Sequence, residues 1–317
     1  MKRKVLITHR IRSSHLDKII KEIGSEAEII FEPDKSKVDE FIKDVEIIFG
    51  DFEREHVQKA KNLRWVHLGY AGVDMILYPE IVNSDVIVTC SKGIHQYHMT
   101  EFLFGMILTL TRGFKKIYAN QRLKVWDKQV AKEFESLYGK TMGILGLGNI
   151  GRQVAKVAKA FGMYVIGMKR TKTKVEYVDE VVTRAEMQHL LENSDFIVVV
   201  LPLTDETHHL IGEKEFNMMK KKPYFFNIGR GAVVDEKALI NALKEGKIRG
   251  AGIDVFEDEP LPSDSPLWEM ENVLVTPHIA GLFPNYWEEP TNLFIENFKR
   301  YINGKELINV VDKLAGY

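Results

Sequence analysis

Apolar residues gather in short blocks of four to eight, separated by segments in which they recur every three or four positions. In the first third the blocks lie at 5–9, 45–50, 65–69 and 86–90, with a weaker one at 28–31. From residue 141 onward they lie at 142–147, 164–168, 196–203, 224–229, 250–256 and 273–277. Blocks of this length, rich in Val and Ile and alternating with helical patterns, predict strands buried on both faces between layers of helices. The fold class predicted is therefore α/β, with two doubly wound parallel sheets along the chain. Between the two series, residues 97–112 place Phe102, Leu103, Met106, Ile107 and Leu110 on more than one helical stripe, which predicts a helix buried on several sides. Near the end, residues 287–303 carry Phe294, Phe298, Tyr301 and Ile302 at helical spacing and stop at Gly304, a glycine suited to a helix C-terminus. Segment 306–312 is too short for a domain of its own and is expected to pack on the first one.

The block at 142–145 runs directly into Gly146-Leu147-Gly148-Asn149-Ile150-Gly151, after which Val154, Val157, Ala158 and Phe161 fall on one helical face that ends at Gly162. Strand, G-x-G-x-x-G turn and amphipathic helix in this order form the dinucleotide-binding fingerprint. Its glycines permit a tight turn, a close backbone approach to a pyrophosphate and close helix–strand packing. The helix N-terminus adds free N–H groups and partial positive charge. Where an acidic residue would grip the ribose of NAD after the next strand, the chain reads Lys169-Arg170-Thr171-Lys172-Thr173-Lys174. A guanidinium and ammonium groups there pair with a phosphate, so NADP(H) is favoured, with NAD(H) left open and a solvated basic loop as the alternative.

Three further blocks end predicted strands: Asn227-Ile228-Gly229-Arg230-Gly231, Asp254 to Pro260, and Thr276-Pro277-His278-Ile279-Ala280-Gly281. Open parallel sheets bind ligands at the carboxyl ends of their strands. Taken singly, Arg230 reads as an ion-pair arginine, Glu259 as one acid of a solvated run and His278 as a strand-end histidine. Together, behind a dinucleotide turn, they suit reduction of a 2-oxo acid. Arg230 offers a planar fork to adjacent carboxylate and carbonyl oxygens. His278 exchanges a proton with the carbonyl oxygen, and Glu259 on its other ring nitrogen would fix the tautomer and favour the protonated ring. Cofactor contacts are expected from Gly146, Gly148, Asn149, Ile150, Gly151, Lys169, Arg170, Thr171, Leu201, Pro202, Ile228, Gly229, Arg230, Asp254, His278 and Gly281.

Charge and composition narrow the remaining classes. Lys+Arg 44 against Asp+Glu 45 leaves a net charge of −1, so no basic field favours nucleic acid or a membrane surface. The apolar stretch at 102–110 falls short of the ~20 residues that span a bilayer, and the basic start lacks a signal-peptide core. One cysteine, Cys90, cannot form an intrachain disulfide, which points to a reducing cytoplasm. His95 and His98 at a helix start and His208 and His209 in a polar loop do not converge as metal ligands, so no metal is expected. His98 remains a candidate pocket residue. Trp65, Trp126 and Trp268 are expected to be packing residues.

The glycine turn, the Asn-Ile-Gly-Arg-Gly block, the 254–260 block and Thr-Pro-His-Ile-Ala-Gly resemble, in order and over essentially the whole chain, the D-isomer-specific 2-hydroxyacid dehydrogenases. That resemblance implies a Rossmann dinucleotide-binding domain at 99–287 inserted into a flavodoxin-like substrate domain formed by 1–98 and 288–317. It makes Arg230 the substrate-binding arginine, Glu259 the partner of His278, and His278 the acid/base. It also implies that backbone N–H groups of Ala71 and Gly72 hold the substrate carboxylate, that Asp254 contacts the nicotinamide end, and that the protein is a homodimer built around the 97–112 helix and the segment near Trp126. The basic run and Tyr286-Trp287 resemble the glyoxylate/hydroxypyruvate reductase branch, which forms D-2-hydroxy acids. Three competitors remain. Phosphoglycerate dehydrogenases have longer forms with an added C-terminal domain, where this chain stops at Tyr317. Formate dehydrogenases carry Gln where Glu259 stands. Dinucleotide-sensing corepressors share the fold without turnover.

Overall fold

The computed structural model describes residues 2–316, which divide into two compact units. One runs to Ile94 and resumes at Phe283, and the other is His95–Leu282.

The first unit is built on a five-stranded sheet of β1 (Arg3–Ile7), β2 (Ala27–Phe31), β3 (Ile47–Phe49), β4 (Trp65–Leu68) and β5 (Ile87–Cys90). All pairings are parallel and the spatial order is β2-β1-β3-β4-β5. The strand order reverses between β1 and β3, the flavodoxin-like arrangement. Residues of opposite parity along each strand feed two cores, one holding Leu6, Ile48, Val66 and Val88, the other Val5, Ile7, Ile47, Phe49 and Trp65. The helix Glu288–Ile302 packs on the helix Ser13–Ile23 and buries Phe294, whose ring stacks on Phe49 at 4.5 Å and on Trp65 at 5.4 Å. The segment after it pairs antiparallel with β5 through Thr89 and Val310, and Val311 N donates to Val88 O at 2.9 Å.

The second unit carries a seven-stranded parallel sheet: β6 (Thr141–Leu145), β7 (Tyr164–Met168), β8 (Glu180–Val182), β9 (Phe196–Val199), β10 (Tyr224–Asn227), β11 (Gly250–Ile253) and β12 (Val273–Val275). The order is β12-β11-β10-β9-β6-β7-β8, so the chain winds outward from β6 in one direction and returns to wind outward from β9 in the other. Both sheets place the chain in the expected doubly wound α/β class.

Three differences from the pattern reading have physical causes. The edge strand β8 went unread, because it is three residues long and buries only Val182. Several apolar blocks outrun their strands: β9 stops at Val199 and β11 at Ile253, although Val255 and Phe256 stay buried. Burial continues where the backbone has already left the ladder, so hydrophobicity alone overstates strand length. Of the three tryptophans expected to pack, only Trp65 is a core residue, while Trp126 is 90% exposed and Trp268 is 51% exposed.

The helix Gln96–Thr111 buries Leu103, Phe104, Met106 and Ile107 and packs on the helix Asn149–Ala160. The next helix, Phe114–Leu123, buries no residue at all. Among the described residues, no helix is long and apolar enough to cross a membrane.

Candidate active site

At the carboxyl end of β6 the chain turns through Gly146, whose φ of +112° lies where side chains are rarely tolerated. A Cβ on Gly146 would lie 2.8 Å from Val200 O, and one on Gly151 would lie 1.9 Å from Gly146 O. Those two glycines let the turn press against β9's exit loop and against the helix Asn149–Ala160. Gly148 is different: a Cβ there meets nothing within 4 Å. Open space beside the first turn of a 12-residue helix, at the point where the strand order reverses, fits a dinucleotide pyrophosphate held by the N–H groups of Asn149 and Ile150.

The remaining expected cofactor contacts ring the same edge. Lys169, Arg170 and Thr171 follow β7, with Lys169 Nζ donating to Thr173 Oγ1 at 2.8 Å and Arg170 lying 3.6 Å from Glu206. Leu201 and Pro202 follow β9, and Leu201 lies against the exit of β10, since a Cβ on Gly229 would come 2.7 Å from Leu201 O. Ile228 is buried beneath that exit.

Arg230, Asp254 with Glu259, and His278 follow the adjacent strands β10, β11 and β12. Asn227, 2% exposed, holds both sides of the Arg230 turn: Gly229 N donates to its Oδ1 at 3.1 Å, and its Nδ2 donates to Arg230 O at 3.0 Å. Arg230 Nη1 donates to Gly229 O at 2.9 Å. His278 Nδ1 lies 2.7 Å from Glu259 Oε2, while Glu259 Oε1 accepts from Phe256 N at 3.0 Å. With Nδ1 committed to a carboxylate, Nε2 is the ring atom left for proton exchange.

Asp254 does something that residue types along the chain did not reveal. Its buried carboxylate accepts from Thr276 Oγ1 at 2.6 Å, Ile279 N at 3.0 Å and Ala280 N at 2.9 Å. Its backbone oxygen also accepts from His278 N at 2.8 Å. One aspartate thus grips the loop on both sides of His278, whose φ of +52° lies in the left-handed region that few non-glycine residues adopt. The residue order carried no signal for this, because Thr276 and Asp254 stand 22 positions apart in the chain.

His95, read from the sequence as a helix-entry histidine, is buried near this cluster. A Cβ on Gly281 would lie 3.3 Å from its Cδ2. Burial, then the neighbouring His98 and the Arg230 charge, push its imidazole down to about 4, so it is neutral at physiological pH. His209 Nε2 pairs with Glu257 at 3.1 Å. Among the described residues, no group of three or more His, Cys, Asp or Glu is arranged to hold a metal ion.

In the first unit, Ala71 and Gly72 follow β4 in a partly exposed loop. Among the described residues, neither of their N–H groups has a hydrogen-bond acceptor.

An all-parallel sheet with a glycine turn at its point of reversal, and an Arg–Glu–His set on adjacent strand ends, defines an NAD(P)-dependent oxidoreductase of the dehydrogenase class. Residues 104–280 match the family model described as the D-isomer specific 2-hydroxyacid dehydrogenase NAD binding domain. A glyoxylate reductase of Korarchaeum cryptofilum is 32% identical over 99% of this chain and 97% of its own length. A D-3-phosphoglycerate dehydrogenase of Methanocaldococcus jannaschii is 35% identical over 98% of this chain, which spans only 59% of that protein. Among solved structures, an NADPH-dependent glyoxylate/hydroxypyruvate reductase of Sinorhizobium meliloti, in complex with NADP and sulfate, superposes with a TM-score of 0.86 at 27% identity and full coverage of both chains. The chain belongs to the D-isomer-specific 2-hydroxyacid dehydrogenase family.

Asp254→Asn turns one of two acceptor oxygens into a donor facing an N–H or hydroxyl. It should lower kcat/KM by about tenfold or more while far-UV circular dichroism stays unchanged. Activity within about threefold of wild type would show that the His278 loop holds without the charge.

Proposed function

We propose that this chain reduces small 2-oxo acids of the glyoxylate or hydroxypyruvate type to D-2-hydroxy acids, with NADP(H) preferred over NAD(H). The observation that carries the reading is the 2.7 Å His278–Glu259 pair, formed between the segments that follow β12 and β11, with Arg230 on the segment that follows the adjacent β10. The names of the relatives support the substrate class, and the NADP complex of the Sinorhizobium meliloti reductase supports the cofactor. In this reading the second unit binds the cofactor and the first binds substrate.

When bound, the reduced nicotinamide supplies the hydride. Arg230 holds the substrate's carboxylate and carbonyl oxygens and favours negative charge developing on the carbonyl oxygen. His278 passes its Nε2 proton to that oxygen, and Glu259 stabilises the imidazolium before transfer and fixes the ring tautomer afterwards. Amides of Ala71 and Gly72 take the substrate carboxylate. Lys169, Arg170 and Thr171 supply donors for the 2′-phosphate that distinguishes NADP. The buried Cys90 thiol suits a reducing compartment, and the proposed location is the cytoplasm.

A panel of glyoxylate, hydroxypyruvate, pyruvate and 3-phosphohydroxypyruvate, followed at 340 nm with each cofactor, tests the reading. Glyoxylate or hydroxypyruvate with NADPH should give the highest kcat/KM, and His278→Gln should cut kcat by about 10²–10⁴. A tenfold or greater advantage for NADH would sink the cofactor preference, and preference for the phosphorylated acid would sink the substrate class. Absence of turnover with every acid would favour a dinucleotide-sensing role.

A homodimer completes the proposal. The helix Phe114–Leu123 buries nothing, and Phe114 (50% exposed), Tyr118 (67%), Leu123 (73%), Val125 (50%) and Trp126 (90%) form an apolar stretch of a kind that monomers rarely leave in water. A second copy of this chain is the proposed cover. Light scattering should give twice the chain mass at micromolar concentration, and Trp126→Asp should shift it toward one. A wild-type monomer would refute the dimer.

A further inference from the structure

We propose that His9 is a positioning residue for the substrate-carboxylate loop, acting as the neutral hydrogen-bond acceptor that fixes the Gly69 peptide and so aims the Ala71 and Gly72 amides. The inference rests on the reading above, in which those amides bind the substrate carboxylate. His9 lies two residues beyond β1, next to the β1/β3 reversal of the first sheet, the point where such sheets bind ligands. Gly69 N donates to His9 Nε2 at 2.9 Å across 60 residues of chain. An imidazole nitrogen that accepts carries no proton, so the ring proton is on Nδ1.

The surroundings allow little else. The His9 ring is 5% exposed and lies among Phe49 at 5.2 Å, Tyr70 at 5.2 Å and Trp287 at 4.7 Å. Burial and the Lys35 charge lower its basicity, while the Asp51 carboxylate opposes them. His67, the other histidine in the same field, is wholly buried and pushed down to about 3. Both are therefore neutral where the enzyme would work, and His9 keeps its lone pair.

The peptide it holds is fixed from every other side as well. Gly69 O accepts from Tyr286 Oη at 2.9 Å, Leu68 O from Ser91 Oγ at 2.9 Å, and Tyr70 O from Ser91 N at 3.0 Å. A Cβ on Gly69 would lie 2.4 Å from the Trp287 ring and 2.9 Å from His9 Nε2, so only glycine lets the acceptor come this close. Immediately after this clamped stretch come the two amides that have no acceptor among the described residues. An apolar side chain at position 9 would leave Gly69 N–H buried and unpaired, and the peptide would turn to find a partner.

Three variants test the assignment. His9→Phe keeps a buried ring without the acceptor, and His9→Gln restores an acceptor at similar reach. His9→Asn is the substitute should His9→Phe fail to fold, since its amide stops short of Gly69. His9→Phe should raise KM for the 2-oxo acid, and the Kd of oxalate as a non-reacting analogue, by about tenfold or more, with kcat within about threefold and KM for NADPH unchanged. His9→Gln should stay within about threefold of wild type in all four. An unchanged KM in folded His9→Phe or His9→Asn would overturn the proposal. So would equal losses in kcat and in KM for NADPH, or a His9→Gln variant as impaired as His9→Phe. A wild-type protein that neither turns over a 2-oxo acid nor binds oxalate would sink the substrate reading and this one with it. An active wild type with an unaltered His9→Phe variant would sink the positioning role alone.

Discussion

Parallel pairing is the constraint on which the rest of the structure depends. Two parallel neighbours cannot be joined by a tight turn, so each crossover passes over the sheet face and every strand leaves the sheet at the same edge. In the second unit this delivers the glycine turn, the Lys169–Arg170 run, Arg230, Asp254 and His278 to one rim from β6, β7, β10, β11 and β12. Residues more than a hundred positions apart reach one rim because their strands share a direction.

Delivery to a rim does not by itself orient a side chain. Orientation comes from buried polar groups whose hydrogen bonds leave few alternatives. Asp254 is the main example, with its two carboxylate oxygens taking a hydroxyl and two amides from one loop. A buried carboxylate without those donors would be costly, and a loop without the carboxylate would leave its amides unpaired. Asn227 performs the same service for the Arg230 turn, and Glu259 ties one oxygen to backbone while presenting the other to His278.

The histidines divide by environment rather than by neighbouring sequence. His278 is exposed, with its Nδ1 2.7 Å from the Glu259 carboxylate. His9, His67 and His95 are buried, and burial holds each in the neutral form. Identical side chains thus differ in environment alone, one facing a carboxylate at the surface and three enclosed in the interior.

What the sequence determined by itself was local or periodic. Block length set the α/β class, and six consecutive residues held the glycine turn, because strand burial, helical spacing and tight turns depend on residues close along the chain. The Arg, Glu and His could be named as a set because their types suit one chemistry and each follows a strand. Tertiary structure alone decided where each strand stops, since Val255 and Phe256 remain buried after β11 has ended. It alone exposed Trp126, added the short edge strand β8, and joined Asp254 to a loop 22 to 26 residues away and His9 to Gly69 across 60. Those contacts are long-range hydrogen bonds and burial, and both are set by which elements pack together, a property that no short stretch of chain contains.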